Sequence, residues 1–376
     1  MKRRPIATFS IHGYGYQEQQ EEDRLSSLPD ALLIHILSQI DTRLAVQSSI
    51  LSKRWVNLWT FLPVLNFDSS FFPKDQKYTL DNFVYKVTFD IFIEKVLAYR
   101  NDSIKIDRVS IKVTDHKTMA RVLGYALSHR VPNLSIDTSQ NLSKYHPILV
   151  NSSDSDSLVS FALKGMLDFG KFPNFSGLVK LRLERVRIVE SEPFSSFPNL
   201  EELFLVNCKL LCDLDGLEVV GFRLSRLTIS SCFYHPIPYK KFVLVTPKLM
   251  VLELDGLIPM SLEASELPVL DTVHIDCFLR VAERSDREPD ESQQKVNLIN
   301  ILRCLGNAKC VHLSPSTVKL LDISCDMLVE ETCPFGNLKI LNLIPPPNKP
   351  VVDLQPFVKA YLLKDCPRAV VTAFPR

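Results

Sequence analysis

Three side chains in the second half of the chain, His274, Asp276 and His312, are of types that could hold a divalent metal, and nine cysteines could supply thiolates. Metal binding needs donors at a fixed spacing. Cys304, Cys310, Cys325 and Cys333 contain no C-x-x-C pair, and no ligand spacing joins the two histidines to Asp276. Asp154-Ser-Asp156 begins like a calcium loop, but Leu158 and the missing Gly and Glu end the match. Gly13-x-Gly15 follows no strand and has no third glycine, so it is not a nucleotide loop. No Ser/His/Asp or Cys/His grouping is legible. The sequence predicts no cofactor, no metal site and no enzymatic activity of its own.

The elements carrying these residues repeat. An apolar residue, two others, an apolar residue, one other and another apolar residue recur as Leu158-x-x-Phe161-x-Leu163, Leu178-x-x-Leu181-x-Leu183 and Leu200-x-x-Leu203-x-Leu205. The same form returns at Leu224, Leu249, Leu270, Ala308 and Leu338, with weaker copies at Ile106 and Val131. Most starts lie 20–27 residues apart, the period of leucine-rich repeats. Such a unit cannot bury its apolar face alone, so stacked units form a solenoid with short strands pointing their leucines inward. The position eight after each start is often apolar or Cys, as at Val186, Cys208 and Cys232. Pro198, Pro247 and Pro268 stand two residues before a start and stop any preceding helix. A loop is predicted over 282–294, then a helix carrying Val296, Ile299, Leu302 and Leu305.

Residues flanking the inward positions line the concave face. Early units place Lys180, Arg182 and Arg226 there, with Glu184 and Glu202; later units place Glu253, Asp255, His274, Asp276 and His312. A face basic at one end and acidic at the other would select a protein of matching charge pattern. Arg182, Arg226, Glu253, Asp255, His274, Asp276 and His312 are therefore the candidate target-binding residues.

Residues 23–59 are more apolar than so short a segment can bury by itself, and they hold both tryptophans, Trp55 and Trp59. Pro29 suits a helix start. Beyond it, Leu28, Leu32 and Ile36 form one stripe, and Leu33, Leu37 and Ile40 a second. Asp41 and Thr42 can cap a second helix with Leu44, Val46 and Ile50, and Ser52 a third with Trp55 and Trp59. Three short helices cover one stripe and leave the other to a partner.

Asp23-Arg24-Leu25-Ser26-Ser27-Leu28-Pro29-Asp30 and Leu51-Ser52-Lys53-Arg54-Trp55, with Leu58-Trp59, resemble the F-box of plant F-box/leucine-rich-repeat proteins. Ala31 stands where that family usually has an acidic residue, and Ile40-Asp41 where it usually has Leu-Pro. The segment from Phe335 through Cys366-Pro367 also resembles the family's C-terminal part. The resemblance implies a docking site for a Skp-type adaptor of a cullin–RING ubiquitin ligase. On it, Leu28, Pro29, Leu32, Ile36, Leu51, Trp55 and Trp59 form or support the contact.

The expected fold class is α/β, a small helical F-box followed by a leucine-rich-repeat solenoid: a curved parallel sheet with helices or loops on its convex side. The expected division is a disordered tail over 1–22, the F-box over 23–66, a helical linker over 67–100, the repeats over 101–345 and a C-terminal cap over 346–376. Net charge is +1, which argues against nucleic acid as the main partner. No apolar run of membrane-spanning length or signal-peptide character occurs, and an odd cysteine count suggests reduced thiols in cytoplasm and/or nucleus. The predicted function is target recognition for a Skp–cullin–F-box ligase, acting on an unknown target protein. The alternatives are a scaffold whose helical segment binds no adaptor and a small-molecule-dependent receptor.

Overall fold

The computed structural model of the protein describes residues 25, 27–72, 81–113, 115–139, 145–148, 156–170, 172–210, 216–234, 241–257, 262–278, 291–345 and 354–373. The expected tail over 1–22, both glycines of Gly13-x-Gly15, Asp154 and most of the expected loop over 282–294 lie outside these residues. The repeats build one parallel sheet of twelve strands in sequence order. The strands are β1 (Val64–Asp68), β2 (Arg108–Lys112), β3 (Asn133–Asp137), β4 (Ser160–Lys164), β5 (Lys180–Glu184) and β6 (Glu202–Val206). They continue as β7 (Arg226–Ser230), β8 (Val251–Leu257), β9 (Thr272–Phe278), β10 (Cys310–Leu313), β11 (Ile340–Leu343) and β12 (Val370–Thr372).

Register follows the repeat. Leu181, Leu203, Leu227, Leu252, Val273, Val311 and Leu341 stand opposite one another on successive strands, all fully buried. The weak copies at Ile106 and Val131 are full strands, with Val109, Ile111, Leu134 and Ile136 buried. The sheet outruns the expected 101–345 at both ends. Strand β1 straddles the expected boundary at 66/67, because Leu62-x-x-Leu65-x-Phe67 is a further copy with all three side chains buried. Strand β12 lies in the expected cap and leaves Val370 and Val371 exposed.

Five consecutive units, from Leu158 to Leu249, turn the same corner. Gly165, Arg185, Asn207, Ser231 and Gly256, each seven residues after its start, have φ of 124°, 59°, 51°, 50° and 120°. The corner amides of Gly165, Arg185, Asn207 and Ser231 donate to the next strand, to the carbonyls of Glu184, Val206, Ser230 and Asp255 at 2.9, 2.9, 2.8 and 2.7 Å. The ladder therefore continues through the bend, and Val186 and Cys208, at the eighth position, enter the core. Phe278, at the same offset, is exposed.

The convex side differs from expectation between β4 and β9. Short strands lie there: Gly216–Val220, Lys241–Val245 and Leu262–Ala264 form one parallel sheet, and a five-stranded one includes Leu167–Phe169, Arg187–Ile188 and Lys209–Leu210. The cause is local. Gly216–Val220 and Lys241–Val245 alternate buried and half-exposed side chains with period two, too short and too alternating for a helix.

Helices α1 (Asp30–Leu37) and α2 (Thr42–Gln47) precede the sheet, and α3 (Asp81–Tyr99) follows β1 as the expected linker helix. Helix α4 (His116–Ser128) backs β2 and β3, and its N-cap Asp115 accepts from the Thr118 amide at 3.0 Å. Then come α5 (Glu291–Cys304), which takes up the end of the expected loop, α6 (Pro315–Asp322), α7 (Cys325–Leu328) and α8 (Pro356–Leu363). One apolar core runs from Leu33 in α1 to Cys366 beyond α8.

Two glycines test the backbone. A Cβ on Gly165 would stand 2.1 Å from Thr138 Oγ1 and 2.9 Å from the Thr138 carbonyl carbon, at φ 124°. A Cβ on Gly124, inside α4, would meet nothing within 4 Å. Urea unfolding should show Gly165→Ala destabilised by more than about 1 kcal/mol. Gly124→Ala should be stabilised by about 0.5–1 kcal/mol, the difference in helix propensity.

Candidate functional site

Helix α1 is apolar on two sides, and the protein covers only one. Leu33 and Leu37 are buried with Ala45 of α2, Trp55, Leu58 and Leu62. On the opposite stripe, Leu32 is 49% exposed and Ile36 41%, with Leu28 half-buried and Pro29 exposed. Leu51 is 62% exposed and Ile50 88%. The expected contact set therefore divides. Pro29, Leu32, Ile36 and Leu51 present surface, Leu28 borders it, and Trp55 and Trp59 pack into the core beneath. Leu44, Ile50 and Val56 of the same module are also exposed and were not among the expected contact residues. Their signal was available, since neither Leu44 nor Ile50 falls on the stripe that α1 and the sheet can bury.

The expected third helix from Ser52 is absent. The Trp55 amide donates to the Ser52 carbonyl at 3.0 Å and the Leu58 amide to Trp55 at 3.3 Å, three residues back, and a 3-10 turn follows at Leu58–Phe61. This turn is fixed from outside. The Arg54 guanidinium lies 2.6 Å from Asp30 and also donates to the Leu28 carbonyl, joining the turn to the first residue of α1. The short turn is thus tied to the start of α1 without a helix of its own.

A second set of contacts seats this helical module on the sheet. Asp41 caps α2, accepting from the Arg43 amide at 2.8 Å, and its other oxygen accepts from the Asp68 amide of β1 at 3.0 Å. Thr42 Oγ1 accepts from the Asn66 amide at 2.8 Å. Arg43 donates to the Phe71 carbonyl and lies 4.9 Å from the Phe72 ring. Burial pushes the Asp41 carboxyl above its ordinary range, against the pull of the two amides it accepts from.

On the concave face, the basic-to-acidic gradient gives way to pairs. Lys180 meets Glu202 at 2.7 Å, Arg226 meets Glu253 at 3.1 Å, and Lys164 and Arg182 flank Glu184 at 2.8 and 3.7 Å. Arg182 and Glu184 share a strand, but register makes the other pairs: neighbouring strands bring Lys164, Lys180 and Arg226 beside a carboxylate, which spacing along one strand does not reveal. Past Glu184 the alternation stops. Asp255 and Asp276 are direct neighbours, and Asp255 accepts from Ser230 Oγ at 2.6 Å. A shallow pocket over these strands is lined by Thr228, Ser230, Glu253, Asp255, His274 and Asp276.

His274 and His312 are stacked, with ring centroids 4.0 Å apart. His312 uses both nitrogens, Nε2 with Cys310 Sγ at 3.2 Å and Nδ1 with the Asn342 side-chain nitrogen at 3.1 Å. Cys304 and Cys333 donate instead to the carbonyls of Leu262 and Phe335. Among the described residues, no three His, Cys, Asp or Glu side chains are arranged to hold a metal, and no helix is long and apolar enough to cross a membrane. What the surfaces can do is bind protein, by an apolar face on the helical module and a polar one on the sheet.

Residues 25–66 match the F-box domain family. The chain is also similar to an F-box/FBD/LRR-repeat protein of Arabidopsis thaliana, 28% identical over 92% of this chain and 72% of the relative. A second relative, an F-box/LRR-repeat protein of the same plant, is 26% identical over 85% of this chain and 71% of its own length.

The two stripes of α1 should separate in denaturation. Leu33→Ala should cost about 2–5 kcal/mol as a buried truncation. Leu32→Ala, one residue away, should change stability by less than about 0.5 kcal/mol. Equal losses would mean that the Leu32 stripe is also part of the core.

Proposed function

From an F-box domain mounted on a repeat solenoid, in a chain related to plant F-box/LRR proteins, we propose that this protein is the target-recognition subunit of a Skp–cullin–F-box ubiquitin ligase. The F-box docks on a Skp-type adaptor, and the concave face holds a target protein. The observation that carries the reading is the apolar face of Leu32, Ile36, Leu44, Ile50 and Leu51, left open by a module whose other stripe is already buried. Isolated apolar side chains are ordinary on a surface, but five exposed large apolar side chains within 20 residues support an interaction site.

The chain contributes no chemistry to ubiquitin transfer on this reading. It supplies proximity, holding a target lysine near a charged conjugating enzyme bound elsewhere in the assembly. Arg182, Arg226, Glu253, Asp255, His274, Asp276 and His312 would face the target. Its place of action is cytoplasm and/or nucleus, which suits the unbonded state of the eight described cysteines.

Leu32→Asp combined with Ile36→Asp should weaken binding to a purified Skp-type adaptor by about 100-fold or more, since buried interface anchors are each worth about 2 kcal/mol or more. Titration calorimetry measures the loss, and an unchanged melting temperature shows that the fold is intact. Failure of the unmodified protein to bind any such adaptor would overturn the reading.

A further inference from the structure

Strand β1 is the first edge of the twelve-stranded sheet and, among the described residues, is hydrogen-bonded to a strand on one side only, through β2. Alternate residues of a strand direct their amides to opposite sides. The amides of Asn66 and Asp68 therefore point away from β2, where an edge strand ordinarily meets water or a second chain. Here they meet side chains. Thr42 Oγ1 takes the Asn66 amide at 2.8 Å and Asp41 Oδ2 the Asp68 amide at 3.0 Å. Two acceptors from the start of α2 stand where the carbonyls of another strand would be.

Asp41 is suited to this in a way its neighbours in the table of amino acids are not. One carboxylate oxygen is committed to the Arg43 amide as the helix cap, and the other is free to reach the strand. A serine can cap a helix but has one oxygen, and a proline or an aliphatic side chain has none. The contact is also embedded in charge. Asp68 accepts from the Ser70 amide at 2.7 Å and lies 3.5 Å from Lys112 of β2, so the clamp continues into the sheet.

We propose that Asp41 is a positioning residue, which with Thr42 clamps the helical module to the edge of the sheet and fixes the angle between the apolar face and the concave face. The clamp closes the sheet edge and adds direction to a junction otherwise made by the shared core and by Arg43 on Phe71 and Phe72. Given the ligase reading above, a fixed angle is what turns two separate binding surfaces into proximity. The clamp itself is a property of the free chain, so its test needs no adaptor and does not stand or fall with that reading.

The experiment compares the full-length protein with Asp41→Ser, Thr42→Val and the double variant. Residue-resolved hydrogen exchange is one readout. The other is the distance distribution between spin labels on ketone-bearing residues at Gln47 and Lys248, both exposed. Serine keeps the helix cap and loses the strand bond. Asp41→Ser should therefore speed exchange of the Asp68 amide by about fivefold to tenfold, the ratio for one lost hydrogen bond, and leave the Ala45 and Val46 amides unchanged. Thr42→Val should do the same at Asn66, and the double variant should broaden the distance distribution. Unchanged protection at Asn66 and Asp68 with an unchanged distribution overturns the proposal. Equal loss of protection across α2 in Asp41→Ser overturns it too, because Asp41 would then be a helix cap only.

Discussion

In-register stacking of parallel strands is the constraint from which the rest of the molecule follows. Each unit contributes one residue per column, and neighbours in a column lie about 4.8 Å apart. A column of leucines packs at that distance, and a column of like charges does not. The core columns are therefore uniform, as with Leu181, Leu203, Leu227 and Leu252. The column Asp68, Lys112, Asp137, Lys164 and Glu184 alternates in sign across five strands. The same rule makes the adjacent Asp255 and Asp276 notable, because there the sheet accepts a repulsion that it avoids elsewhere. The corner column obeys the rule as well, with Gly165, Arg185, Asn207, Ser231 and Gly256 bending at the same position in five consecutive units.

A stack has two ends, and this one closes its first end with the helical module. Fewer than 50 residues cannot build a core of their own, and Leu33, Leu37, Ala45 and Trp55 join the core of the repeats. That junction explains a departure from the family pattern. Ile40-Asp41 replaces the usual Leu-Pro, and Asp41 spends its two oxygens on a helix start and a sheet edge. The contacts of Asp41 at this position face the sheet.

The parts of the fold governed by period were legible in the sequence. Leucine spacing gave the strands, including the weak copies at Ile106 and Val131, and the two stripes of α1 were visible from their offsets. The copy at Leu62 was equally visible but sat inside a segment already assigned to the helical module. Strand β12 was not legible, because Arg368 holds the start position and Val370 faces solvent. The third helix failed because residues 52–61 close bonds three residues apart around Arg54, whose partner Asp30 lies 24 residues away in sequence. The concave face failed for a related reason. Charge along the chain suggested a gradient, while pairing across the chain, Arg226 with Glu253 and Lys180 with Glu202, depends on which strands are neighbours.

The two surfaces differ in physical kind, and that difference bears on how each would be used. The helical face is apolar and rests on a module fixed by buried tryptophan and by the Arg54–Asp30 pair, so little ordering remains to be done on binding. Such a face suits a partner held for long periods. The concave face is polar, and its basic residues are already engaged by carboxylates, so a target must exchange existing ion pairs for new ones. Exchange of that sort gives selectivity and salt sensitivity more than raw affinity. On the proposed reading, a lasting contact at one end and an exchangeable one at the other would suit a subunit that stays in an assembly while its targets come and go.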